Sequence, residues 1–222
     1  DGREWGDYSD SERVSDLDLC AAEFPDAQAL QKKAALGRLK VLTDLGDASV
    51  RGCHSSLTTL GGRSFSIYTA DGTRLFDSAG MIEEQIARMV GAGALPQWAF
   101  NADNDATPSG DSRSDDKGPE PESVVVGTIQ GRTYAFVGLE RVGGVMVFDI
   151  SDPRNATYVD YVNDRDWDAA GDDATVGLGD MGAEGLAFVP AHESPSGSAL
   201  LIVANEVSGS TTVYEVEPTK WK

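Results

Sequence analysis

The chain has 222 residues, 40% of them hydrophobic, with a formal net charge of -19 and a pI near 4.3. That acidity excludes nucleic acid as a partner, because phosphate binding needs clustered Lys and Arg, and it opposes adhesion to anionic lipid. It suits cation binding, a saline or extracellular setting, or a basic partner.

No run approaches the roughly 18 apolar residues of a membrane span. Asp1 opens a polar, acidic segment without a signal peptide, so the chain reads as a mature form or an excised piece. Residues 1–24 are read mostly as loop, with one short helical turn. Pro25-Asp26 then opens AQALQKKAALGRL, which is rich in helix formers and is stopped by Gly37. Residues 38–43 alternate as a strand. The runs 55–60 and 63–69 flank Gly61-Gly62, a hairpin signal, and 73–77 adds a third strand to that meander. MIEEQIARMV, 81–90, places Met81, Ile82, Ile86, Met89 and Val90 at helical spacing before Gly91 and Gly93.

The loop 100–122, FNADNDATPSGDSRSDDKGPEPE, crowds carboxylates and amides onto a Gly- and Pro-rich segment that suits neither helix nor strand. Hard oxygen ligands in such a setting are what Ca²⁺ needs. Asn101, Asp103 and Asp105 have the odd-position spacing that opens an EF-hand loop. Ala106 and Ser112 then stand where that motif needs Gly and Glu, so a less regular site is expected. The metal-ligand candidates are Asp103, Asp105, Asp111, Asp115 and Asp116. The competing reading is a solvated acidic loop whose Asp and Asn residues cap turns.

After this loop β character dominates, with strands expected over 123–129, 133–139, 145–150 and 157–162. The second half repeats the pattern. Glu122 aligns with Glu184, Glu140 with Glu206, and Val147-Phe148-Asp149-Ile150 with Val213-Tyr214-Glu215-Val216. A four-stranded unit repeating every few tens of residues is the signature of a propeller blade. The fold class expected is therefore mainly β: antiparallel four-stranded blades of a β-propeller-like domain, incomplete in the sense that too few units are present to close, with two inserted short helices. The chain divides into an irregular first part with helices and a partial blade (1–99), the acidic loop (100–122), and blades over 123–162 and 182–217.

Cys20 and Cys53 are either two partly buried thiols or, in an exported protein, one disulfide. His54 beside Cys53 is a weak metal signal. Glu122 and Glu184 are candidates to polarise a substrate or to hold a cation near a propeller axis, or else to brace neighbouring blades. Arg113, Lys117 and Arg141 are the cations that a phosphate ester would need nearby. No GxSxG elbow, HExxH or P-loop is present. The four Trp residues, Trp5, Trp98, Trp167 and Trp221, are scattered and read as packing residues.

The strings GGRSFSIYTADGTRLFDS, SRSDDKGPEPE, GRTYAFVGLERVGGVMVFDISDP and SALLIVANEVSGSTTVYEV resemble the choice-of-anchor I domain. That family comprises exported and surface-attached bacterial proteins of β-propeller-like fold. Some members bear an alkaline phosphatase designation, and the family is distantly similar to the esterase-like domain of some phytases. The resemblance covers nearly the whole chain and implies that it is the C-terminal part of a larger domain, with further blades preceding it. Cys20 and Cys53-His54 depart from the family pattern. The function expected is an extracellular, periplasmic or cell-surface module stabilised by Ca²⁺, with a binding or scaffold role. The alternative is a Ca²⁺-dependent phosphatase or esterase. The residues name no ligand or phosphoester substrate.

Overall fold

The structure, a computed structural model, describes residues 4–6, 8–104, 109–168 and 177–217. Two compact units emerge. Unit 1 comprises 1–62 with 114–117, and unit 2 comprises 63–113 with 118–222.

Unit 1 is built from short pieces. Strand β1 (Glu4–Trp5) pairs with β2 (Tyr8–Ser9), and β3 (Ser11–Arg13) pairs with β4 (Lys40–Leu42). Helices α1 (Ala27–Leu30) and α2 (Ala48–Arg51) are single turns. The helix expected after Pro25 stops at Leu30 because none of its residues is buried. A segment this short, without a packed face, does not repay the cost of nucleation. The chain instead turns back, with the Leu36 and Gly37 amides donating to the carbonyls of Leu30 and Lys32. Gln31 reaches the carbonyls of Val14 and Leu17 at 3.1 and 2.7 Å. The core is small: Val14, Leu17 and Val41, flanked by Leu19, Leu39 and Leu57. Cys20 and Cys53 form a disulfide beside the Leu19–His54 bridge. The Cys53 thiol is therefore consumed, and His54 Nε2 lies 3.3 Å from the Thr43 carbonyl.

The hairpin expected across Gly61-Gly62 does not form. Residues 55–60 form no named strand and join unit 1 through the Val41–Thr59 bridge, the Leu42 amide donating to the Thr58 carbonyl, and Leu57 against the core. In unit 2, β5 (Ser66–Tyr68) pairs instead with β6 (Arg74–Asp77). The Asp71-Gly72 turn has its own hydrogen bonds to Thr69 and Thr73, and it outcompetes the Gly-Gly signal.

Unit 2 carries the main core. Helix α3 (Met81–Gly91) buries Ile82 and Ile86, as its spacing predicts. Strands β7 (Pro121–Ile129), β8 (Arg132–Leu139), β9 (Val145–Asp149) and β10 (Thr157–Val162) form a four-stranded antiparallel meander. Strands β11 (Ala183–Val189), β12 (Ala199–Asn205) and β13 (Ser210–Val216) form a second, three-stranded one. β8 and β9 are apolar on both faces because both faces are covered. Ala135, Val137, Met146 and Phe148 pack with α3, and Phe136, Val145 and Val147 pack with Leu201 and Val203 of β12. Gly127 permits the close approach of the two sheets, since a Cβ there would stand 2.7 Å from the Phe188 ring. The chain is thus mainly β, with small antiparallel sheets and three helices. Among the described residues these sheets are open and separate.

Candidate functional site

The repeat seen in the sequence exists in the backbone. Glu122 lies in a register shift of β7 against β8, between Pro121 and Ser123. Glu184 lies in the same kind of shift of β11 against β12, between Ala183 and Gly185. Such bulges re-aim a side chain at the end of a ladder, and both glutamates are exposed. One residue past the second strand, the Glu140 amide donates to the Glu120 carbonyl and the Glu206 amide to the Gly182 carbonyl, at 2.9 and 2.8 Å. Glu120 and Gly182 are therefore equivalent. Both are left-handed, with φ of 52° and 76°. Glycine adopts that conformation freely, whereas Glu at this position costs about 1–2 kcal/mol.

Glu120 sits at the centre of a charged network and is only 1% exposed. Arg113 Nη2 donates to its Oε1 at 2.5 Å and Arg141 Nε at 3.2 Å. Arg141 also lies 3.2 Å from Glu140 and 3.5 Å from Asp103, and donates to Asn104 at 2.9 Å. Arg113 lies 3.7 Å from Asp103. Asn104 in turn donates to Glu140 at 3.4 Å. Carboxylate oxygens of Glu120, Glu122 and Glu140 all come within 4.8 Å of one another.

The first limb of the acidic loop is pinned beside this network. The Asp111 and Arg113 amides donate to the carbonyls of Phe100 and Asn101, and the Asp103 amide donates to Ser109 Oγ at 3.0 Å. Asn101 donates to Glu83 at 2.6 Å, and Arg63 meets the same carboxylate at 2.8 Å. Arg165 is buried, donates to the Asp103 carbonyl at 2.7 Å, and lies 5.5 and 4.7 Å from the Trp98 and Trp167 rings. The two indoles touch edge-to-face with centroids 5.0 Å apart, and a guanidinium beside such a pair gains cation–π attraction while keeping its hydrogen-bond geometry. Trp98 and Trp167 are packing residues, in contact with each other and, for Trp167, with the main core, and they also face the Arg165 cation.

The sequence candidates are distributed between the units. Asp103 and Asp111 lie in unit 2, where Asp111 is exposed in a left-handed turn (φ 62°). Asp115, Asp116 and Lys117 belong to unit 1. Asp115 accepts from Arg13 at 2.9 Å and from Arg38 at 2.8 Å. Burial pulls its carboxyl up, but Arg13 and Arg38 together outweigh this and hold it below the ordinary carboxylate range. Lys117 is buried, with its stem near Gly61. Asp105 lies outside the described residues. Arg113 and Arg141 converge on Glu120, while Glu122 and Glu184 mark matching positions of the two sheets. Glu120 was not singled out in the sequence; its pairing with Gly182 in the repeat alignment was the available signal. Arg165 has no such signal, because its partners come from distant segments.

Burial pushes the Glu140 carboxyl up to about 7, with Arg141 opposing and Glu120 and Glu122 reinforcing. At the second sheet, the hydrogen bond with Glu206 and its charge raise the Glu184 carboxyl, and Glu122 adds to the effect. The Glu140 shift has a definite sign. Between its ordinary value of 4.5 and about 7 the folded chain holds a proton that the unfolded chain releases. The stability contributed by this group is therefore full below the unfolded value and is lost as pH rises through the folded one. Glu140→Gln, measured in a chelator, is expected to flatten that part of the pH–stability curve and to raise stability at pH 8. An unchanged slope in urea denaturation across this window contradicts the assignment.

These features define an antiparallel β-sheet module whose strand-end rim is lined by carboxylates and braced by half-buried arginines. The profile of the choice-of-anchor I domain matches residues 1–153, and the chain belongs to that family. It is 31% identical over 195 residues to Gigasin-3a of Magallana gigas, covering 85% of this chain and 67% of that protein. It is 32% identical over 151 residues to a mesenchyme-specific cell surface glycoprotein of Strongylocentrotus purpuratus, covering 62% of this chain and 18% of that protein. No solved structure matches the chain. Among the described residues, no helix is long and apolar enough to cross a membrane.

Proposed function

We propose that the chain is an extracellular or cell-surface binding and scaffold module of propeller-like build, whose carboxylate rim holds Ca²⁺. The observation that carries the role is the engagement of both rim arginines, Arg113 and Arg141, by the buried Glu120. A phosphoester hydrolase needs cationic groups aimed at the substrate's developing charge. Here these cations brace the protein's own carboxylates, which favours a structural rim over a phosphatase or esterase site. The extracellular placement is supported by the Cys20–Cys53 disulfide, a bond that persists in oxidising compartments, and by the family. It is also supported by the name of one relative, a cell surface glycoprotein.

The propeller reading is supported by the two successive meanders stacked through the β8–β9 and β12 side chains. It is further supported by apolar residues on their outer faces. Val124 and Val126 of β7 are 61% and 53% exposed, and Val213 of β13 is 55% exposed. Further blades packed against these faces would bury them. The Ca²⁺ reading rests on the oxygens of Glu120, Glu122 and Glu140, whose 4.8 Å span suits bonds of about 2.3–2.6 Å to one cation. Asp103 and Asp111 of the adjoining loop are the further ligands proposed in unit 2.

Thermal unfolding with Ca²⁺ and with chelator, run beside an assay of p-nitrophenyl phosphate, separates the readings. Extracellular modules bind Ca²⁺ with Kd of about 10⁻⁴–10⁻³ M. Roughly 10 mM Ca²⁺ should then add about 1.4–2.7 kcal/mol, a Tm rise of roughly 3–10 °C, with no turnover. Calcium-dependent phosphate release lost in Arg141→Ala would instead establish the hydrolase.

A further inference from the structure

We propose that Asn155 is an N-glycosylation site. The chain has five asparagines, and only Asn155-Ala156-Thr157 has the N-x-[ST] acceptor pattern. The fold sets Asn155 apart from the other four. Asn101 and Asn205 are buried, Asn104 is held by Arg141, and Asn163 donates to the carbonyls of Val142 and Gly143. Asn155 is exposed, and no side-chain hydrogen bond engages its amide among the described residues.

Its backbone is held in a tight turn between β9 and β10. The Asn155 amide donates to the Asp152 carbonyl at 3.0 Å, and the Arg154 amide to Asp152 Oδ1 at 3.0 Å. Residues 151–155 are all exposed, so a bulky, hydrated glycan displaces nothing. Ala156 is buried and pins the turn, while the Thr157 side chain that completes the pattern is exposed at the start of β10. β10 is an edge strand, and a glycan at its entry would shield that edge from pairing with another chain.

The acceptor must also meet the transferase, and the Cys20–Cys53 disulfide is an independent mark of the oxidising route on which it acts. On this point the inference rests on the extracellular reading proposed above. The co-reactant is a polyprenyl-diphosphate-linked oligosaccharide. A bond forms between Asn155 Nδ2 and C1 of the reducing-end sugar. The bond from C1 to the diphosphate oxygen breaks, the lipid diphosphate leaves with its electron pair, and Nδ2 loses one proton to base.

The test is to direct the full chain through the secretory pathway of eukaryotic cells and record two independent readouts. These are a mass shift removed by peptide-N-glycosidase, and free thiols counted under denaturing conditions. The expected result is a single glycan, released with conversion of Asn155 to Asp, on a chain with no free thiols. Asn155→Gln and Thr157→Ala are each expected to abolish the shift, while Thr157→Ser retains it. A disulfide-bonded chain without glycan overturns this inference and leaves the extracellular reading standing. A glycan that survives Asn155→Gln also overturns it. A glycosylated chain with two free thiols supports the acceptor site and removes the disulfide argument for the extracellular reading.

Discussion

Reduction of the Cys20–Cys53 disulfide is expected to unfold unit 1 and leave unit 2 folded. Among the described residues of unit 1 the buried apolar core is Val14, Leu17 and Val41 beside the bonded Cys20, and helices α1 and α2 bury no residue. Units of this size rarely gain more than a few kcal/mol from one hydrophobic core and depend on a cross-link. A bond closing 33 positions removes about 3–4 kcal/mol of chain entropy from the unfolded state. That amount is comparable with the whole stability of such a unit. The Cys20→Ser, Cys53→Ser double variant should therefore lose hydrogen-exchange protection throughout 8–62, while the amides of β8 and β9 stay protected. The ion pairs of Asp115 with Arg13 and Arg38 do not substitute for the bond, because both arginines are nearly half exposed at 43% and 47%, and such pairs are worth little. Equal loss of protection in both units, or none in either, would contradict this account.

Glu120→Ala is expected to produce the larger loss in unit 2. Glu120 is the buried acceptor that Arg113 and Arg141 share, and removing it leaves the two guanidiniums with Asp103 and Glu140 for compensation. Breaking a buried ion network from one side costs about 3–5 kcal/mol. The left-handed backbone supplies an internal control, since Glu120 stands where the second repeat has Gly182. Glu120→Gly should be about 1 kcal/mol less damaging than Glu120→Ala, because glycine relieves the positive φ and alanine does not. Equal urea midpoints for the two variants would show that the backbone at 120 is unstrained. A loss below 1 kcal/mol for either would show that the network is not buried in solution.

Periodicity made much of unit 2 legible in the sequence. α3 was bounded by its apolar spacing and by Gly91. The strands β7 to β10 and β11 to β13 were bounded by turns such as Gln130-Gly131 and Gly143-Gly144, which all take positive φ. The equivalence of Glu122 with Glu184 carried through to matching bulges. Unit 1 was less legible because its order comes from long-range links. The cross-link between Cys20 and Cys53 and the Gln31 contacts with Val14 and Leu17 leave no periodic trace. The rim was legible in composition but not in pairing. Carboxylates could be counted along 100–122, but which arginine meets which carboxylate depends on how that loop folds back on β7 and β8. Glu120 shows the gap most clearly, because its role depends on a backbone conformation that its residue type disfavours.

The most direct test of the central claim is a crystal structure of the chain grown in millimolar Ca²⁺, with anomalous differences recorded. The account predicts a cation peak bound by oxygens of Glu120, Glu122 and Glu140, with Arg113 and Arg141 still on Glu120. A rim with no peak at that concentration, or with both arginines turned out to solvent, would contradict it.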